Sequence, residues 1–175
     1  MDTKTIIRFE NADLGYGAKP VLQDVSCSIQ AGCSLGIVGP NGSGKTTFLR
    51  SVLGLLAPIK GTVFADQSRR FTYVPQAEEI NLYLPMTVSE TVFLAAKSAR
   101  IFGKITQEEI HLAEEAMEKV GVSGIKNLLL RECSGGQRQK TILAQALSQK
   151  PDVLLLDEPT RGLDVVAERD LLALI

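Results

Sequence analysis

Residues 39–46 read GPNGSGKT, set between an apolar run, SLGIVG (34–39), and a helical pattern carried by Phe48, Leu49, Val52 and Leu53. The stretch fits G-x-x-x-x-G-K-[ST], and its flanks are the strand and helix this motif needs. Gly39, Gly42 and Gly44 permit backbone geometries that turn successive N–H groups around phosphate oxygens. The helix start adds the positive end of its dipole. Lys45 has the reach for the β- and γ-phosphates, and the Thr46 hydroxyl suits Mg²⁺. A chance glycine turn before Lys-Thr is the competing reading, and the flanks weigh against it.

Two further stretches bear on phosphate chemistry. VLLLDE (153–158) reads as a buried parallel strand ending in two acids. Asp157 falls at the strand's carboxyl end, where α/β sheets place ligands, and suits a water-mediated hold on Mg²⁺. Glu158 is placed to orient or deprotonate an attacking water. Taken alone, either acid could equally be a solvated loop residue. CSGGQRQK (133–140) opens a helical pattern through Ile142, Leu143, Ala146 and Leu147. Ser134 and Gln137 have capping-box spacing, and a helix start with bare N–H groups is itself an anion site.

The 19 Lys and Arg nearly balance the 20 Asp and Glu, a formal charge of −1, so the composition implies no basic face for nucleic acid. Apolar residues, 45% of the chain, suffice for a core. Cys27, Cys33 and Cys133 form no C-x-x-C pair and read as reduced thiols of a cytosolic protein. The N-terminus lacks the apolar core of a signal peptide. No apolar run approaches the roughly 18 residues needed to cross a bilayer, so a membrane role must come through a partner.

Strand patterns come first. Val25, Cys27 and Ile29 alternate with serines as in a half-buried strand, and residues 5–12 make a partner for it. Residues 62–64 and 71–74 read as further short strands. From about 77 to 132 the character is helical. Thr87–Glu90 and Thr106–Glu109 both match a capping box, and the second heads a stripe of Ile110, Ala113, Ala116, Met117 and Val120 stopped by Gly121.

GPNGSGKT, YVPQ (73–76), SGGQ (134–137), VLLLDEP (153–159) and GLD (162–164), in that order, resemble the nucleotide-binding subunit of an ABC transporter. The likeness spans essentially the whole chain, and the N-K-x-D motif of GTPases is absent. It implies an α/β fold: a P-loop NTPase (RecA-like) core with an N-terminal antiparallel β subdomain and a helical subdomain, in a three-layer architecture with the last strands missing. Within a single domain over 1–175, residues 1–76 and 141–175 would form the β subdomain plus P-loop core, and 77–140 the helical subdomain ending in SGGQ.

The resemblance also assigns roles. ATP and Mg²⁺ would be the cofactors. Glu158, Lys45 and Gln76 would be catalytic, and Thr46, Gln76 and Asp157 would serve the metal. Tyr16 would stack on adenine, and Gly39, Pro40, Asn41, Gly42, Ser43, Gly44, Lys45, Thr46 and Thr47 would hold phosphates. Ser134, Gly135, Gly136, Gln137 and Asp164 would meet the nucleotide of a second subunit packed head to tail. The expected partners are that second subunit, an integral membrane permease and, for an importer, a solute-binding protein, with no nucleic acid. The subunit would lie in the cytoplasm, peripheral on the inner face of the cell membrane. Residues 80–97 look most like the ATPases of zinc, manganese or iron-chelate importers, yet the chain carries no His and Cys cluster to bind zinc itself.

Departures qualify the likeness. Cys133 stands where the family usually has leucine, and reads as a structural thiol. Arg161-Gly162 replaces a more usual small pair. The chain stops at DLLALI (170–175), short of a family strand whose histidine contacts the γ-phosphate, and the sole histidine, His111, falls upstream in the helical segment as a surface residue. The missing strand would lie between those of residues 34–38 and 153–157. The expectation is therefore a fragment of a longer subunit that binds ATP weakly and hydrolyses it barely. A soluble ABC-type ATPase of DNA repair or translation, or a module that binds ATP without turnover, remain the alternatives.

Overall fold

The computed structural model describes residues 5–75, 82–96, 105–161, 163 and 165–173. The chain divides into two compact units, Met1–Arg69 and Arg70–Ile175.

In the first unit, β1 (Thr5–Tyr16) and β2 (Lys19–Gln30) form an antiparallel hairpin, and β3 (Lys60–Ala65) pairs antiparallel with the other edge of β1, giving the order β2-β1-β3. The inward face of β1 changes phase partway. Ile7 and Phe9 are buried, then Ala12 and Leu14, because Asn11 adopts a left-handed φ of 44° and the register slips between Phe9 and Ala12. One extra residue re-aims the strand by a half-period. Asp24, also left-handed, faces this irregularity and accepts a hydrogen bond from Asn11 Nδ2 at 3.0 Å. Helix α1 (Lys45–Val52) buries Phe48, Leu49 and Val52, and the Phe48 ring stacks on Phe9 with centroids 4.5 Å apart. β2 forms where the alternation predicts, but Cys27 is exposed while Val25 and Ile29 are only partly covered.

The second unit contains β4 (Phe71–Val74) and β5 (Val153–Leu156), paired parallel as the all-aliphatic run of β5 anticipates. Around them stand α2 (Val88–Ala96), α3 (Gln107–Val120), α4 (Gly135–Leu147) and α5 (Val165–Leu172). One apolar cluster joins Val74, Val88, Val92, Met117, Leu143 and Leu171. Both ends of α3 obey their local signals: Thr106 and Glu109 form a reciprocal capping box, and Gly121 closes the helix at φ 78°.

One expected strand does not form. Residues 33–40 carry no regular structure, and Leu35 and Val38 are 58% and 97% exposed. An apolar strand with no polar face needs a neighbour on each side. No strand among the described residues pairs with 34–38. The expectation rested on side-chain pattern alone, which cannot supply a partner.

Candidate nucleotide-binding site

In the first unit, the loop before α1 has the geometry its sequence requires. Gly42 and Gly44 adopt φ of 80° and 97°, and Gly44 is the N-cap of α1. Left-handed backbone there favours glycine, and a Cβ on Gly44 would come within 2.8 Å of Leu22. Ser43 N–H donates to the Pro40 carbonyl at 3.2 Å, and Phe48 N–H to the Gly44 carbonyl at 2.9 Å, so turn and helix are continuous. Lys45 Nζ donates to the Gly39 and Pro40 carbonyls at 3.0 and 3.1 Å, which folds the ammonium back over the loop. Thr46 is partly buried, whereas Thr47 is 4% exposed. Asn41 and Gly42 stand in solvent at the tip.

Tyr16, at the end of β1, is 50% exposed, and its hydroxyl accepts a hydrogen bond from Arg50 Nη1 of α1 at 3.3 Å. The half-exposed ring is thus tied to the helix that follows the loop. Nothing in the sequence pattern singled out Arg50. It lies on α1 five residues after Lys45, and its link to Tyr16 depends on how that helix meets the hairpin.

In the second unit, Ser134 is the N-cap of α4. Its Oγ accepts from Gln137 N–H at 3.2 Å, and Gln137 Oε1 accepts from Ser134 N–H at 2.8 Å. The Gln137 side chain therefore serves the cap, and the Gly135 and Gly136 N–H groups, which have no acceptor within the helix, carry the anion-binding capacity of this corner. Cys133, just before it, is buried in the apolar cluster, and its Sγ contacts the Leu129 carbonyl at 3.5 Å. Burial, with a smaller push from Glu132 against an opposing pull from Arg138, raises its pKa.

Asp157 follows β5 and is 2% exposed. Its N–H donates to the Val74 carbonyl at 3.1 Å, and Oδ2 accepts from the Tyr73 hydroxyl at 3.0 Å. Glu158 is held at a left-handed φ of 47°, and its Oε2 pairs with Arg161 Nη1 at 3.2 Å. Neither Tyr73 nor Arg161 was marked for a role by sequence. Tyr73 sat in the quoted YVPQ, and Arg161 read as a minor departure. Gln76, Gly162 and Asp164 lie outside the described residues, as do parts of the stretch 80–97. His111 is exposed on α3. No helix among the described residues is long and apolar enough to cross a membrane.

A glycine-rich loop opening a helix in one unit, with an acid-terminated parallel strand and a capped SGGQ helix in the other, defines a P-loop nucleotide-binding cassette. The sequence pattern of the ABC transporter family matches residues 22–161, and the chain belongs to that family. It is 39% identical over 175 residues to a probable metal transport system ATP-binding protein of Chlamydia trachomatis, covering 95% of this chain and 74% of that protein. It is 42% identical to the zinc import ATP-binding protein ZnuC of Roseobacter denitrificans, covering 91% and 59%, and 33% identical to the manganese transport system ATP-binding protein MntB of Bacillus subtilis, covering 97% and 70%. Among solved structures, a putative metal-chelate type ABC transporter in an inward-facing conformation superposes with a TM-score of 0.87 at 27% identity, over 97% of this chain and 66% of that one. A dimeric ATP-binding cassette bound to ADP and phosphate after hydrolysis gives 0.81 at 25% identity, over 97% and 81%. The chain spans between about three fifths and three quarters of the length of these relatives.

Proposed function

We propose that residues 39–47 bind ATP with Mg²⁺, and that the chain is the nucleotide-binding part of a subunit whose ATP hydrolysis drives metal-ion or metal-chelate uptake through a membrane permease. The observation that carries the reading is the left-handed turn at Gly42 and Gly44, which opens α1 with Lys45 folded over the loop. Such a glycine turn at a helix start is the backbone arrangement that lets N–H groups and one ammonium surround a polyphosphate. The metal named for the substrate comes from what the Chlamydia, Roseobacter and Bacillus relatives are called.

The residues fit Mg²⁺. This ion takes one or two protein ligands and completes its shell from phosphate and water. Asp157 offers a buried carboxylate already ordered by Tyr73, and Thr46 offers a hydroxyl in the first turn of α1. When bound, the ion neutralises charge on the β- and γ-phosphate oxygens. Lys45 exchanges its loop carbonyls for those same oxygens, and Tyr16 stacks on the base. Glu158 orients the attacking water and takes its proton. Gly135 and Gly136 present their N–H groups to the γ-phosphate held by a second copy, Gln76 serves the metal and the attacking water, and Asp164 meets the opposite subunit. Closure on ATP and opening after hydrolysis would move the permease, with a solute-binding protein delivering cargo and the subunit peripheral on the cytoplasmic face.

A fluorescent ATP analogue titrated into the chain with Mg²⁺ tests the core of this reading. Saturable binding that K45A weakens at least tenfold is expected. Binding equal in wild type and K45A would overturn it. Pairing is read separately, from the molar mass of E158Q with and without ATP, and a mass unchanged by ATP would count against the shared site.

A further inference from the structure

We infer that Tyr73 is a positioning residue for the magnesium carboxylate: its hydroxyl, bonded to Asp157, sets the direction in which that carboxylate meets the metal. The inference rests on the reading of Asp157 proposed above.

The geometry is long-range and specific. β4 and β5 run parallel with Tyr73 opposite Leu155, and Asp157 follows two residues later, just past the end of β5. Two residues of strand advance about 6.6 Å. A side chain at position 73 must cover that offset to reach the carboxylate, and a phenol does so with a rigid ring and one terminal donor. The observed Oη to Oδ2 distance is 3.0 Å. Asp157 is also fixed through its backbone, whose N–H donates to Val74, the residue after Tyr73. The acid is therefore held to β4 at both main chain and side chain, at 2% exposure.

A hydrogen bond to an ionised carboxylate is among the stronger kinds. With Oδ2 engaged by the phenol, rotation about the Cβ–Cγ bond is restricted and the position of Oδ1 is set. Partners that orient a metal-binding carboxylate change metal affinity by about 10- to 100-fold when removed. Phe at this position keeps the ring and removes the hydroxyl that bonds Asp157. The expected defect is therefore in the use of Mg²⁺, not in the binding of nucleotide as such.

The test compares wild type and Y73F with a fluorescent ATP analogue, first in excess EDTA and then along a Mg²⁺ titration, with circular dichroism to establish folding. The expected result is an unchanged affinity in EDTA, within twofold, and a rise of about tenfold in the Mg²⁺ concentration for half-maximal enhancement. Equal Mg²⁺ requirements would overturn the inference, as would equal losses with and without Mg²⁺, which mark a merely structural hydroxyl. A Y73F chain lacking the wild-type dichroism spectrum would overturn it on the same ground. D157N and Y73F/D157N close the cycle: once the carboxylate is gone, Y73F should leave the Mg²⁺ requirement unchanged, and an equal effect in both backgrounds would sink the coupling. Absence of any Mg²⁺-dependent binding in wild type would remove the reading of Asp157 and this inference with it, an outcome visible before any variant is made.

Discussion

Arg161 Nη1 stands 3.2 Å from Glu158 Oε2, and within the same turn the Arg161 N–H donates to the Glu158 carbonyl at 3.0 Å. The acid proposed above to handle the attacking water thus carries a cation three residues away. The pair is partly solvated, with side chains 48% and 22% exposed, so its net worth is no more than about 1 kcal/mol. A guanidinium on the carboxylate competes with water for it, and R161A should release that competition. The expected outcome is a two- to fivefold rise in ATP turnover at low salt, on the scale that about 1 kcal/mol allows. The gain should shrink at high ionic strength, where the wild-type pair is screened. Phosphate release measured across a salt series checks it, and a rate that falls in R161A would give the arginine a supporting role instead.

Local chemistry was legible in the sequence, and long-range pairing only in part: the β1–β2 hairpin and the parallel character of β5 could be read, and other contacts could not. The capping boxes at Thr106–Glu109 and Ser134–Gln137 form as spaced, because each is settled within four residues. The Gly42 and Gly44 turn is decided the same way. The strand expected at 34–38 fails because burial of Leu35 and Val38 needs neighbours that no local pattern can provide. The Tyr73–Asp157 and Tyr16–Arg50 bonds escaped notice for a related reason: each joins residues far apart in sequence through a register or packing angle. The slip at Asn11 likewise depends on Asp24 and Ser26 across the hairpin.

Ser134 can be tested as a cap independently of any nucleotide. Its Oγ is the acceptor for Gln137 N–H at the head of α4, whose buried Ile142, Leu143 and Ala146 belong to the apolar cluster of the second unit. Loss of such a cap costs about 1 kcal/mol. S134A should lower the melting temperature by roughly 2–4 °C in a chain of this size, while S134N or S134D, which also cap, should recover most of it. Thermal unfolding without ligand gives the answer.

The three thiols should separate by environment. Cys27 and Cys33 are exposed and Cys133 is buried. Desolvation raises the pKa of Cys27, and for Cys133 it dominates over the opposing Arg138. A raised value leaves less thiolate near neutral pH, and the thiolate is the reactive form. Iodoacetamide at pH 7.5 should therefore modify the exposed Cys27 and Cys33 before the buried Cys133, which should become fast only on unfolding. Peptide mass spectrometry over a time course reads the order directly, and early labelling of Cys133 would contradict its structural assignment.

Glu90 gives a pH dependence with a definite sign. At the head of α2 its Oε2 accepts from the Thr87 N–H and hydroxyl, each at 2.8 Å, while Glu90 N–H donates to Thr87 Oγ1 at 3.2 Å. The backbone bond, then the side-chain bond, lower its pKa from the ordinary 4.5. A lowered folded value means that the charged form stabilises the fold. That contribution is complete above 4.5 and is lost as pH falls through the lowered value. E90Q should accordingly melt below wild type near pH 7, with a gap that holds to about pH 5 and closes on further acidification. Melting curves of both chains from pH 7 to pH 3 decide it: a gap that widened in acid would mean the neutral form is the one the helix start prefers.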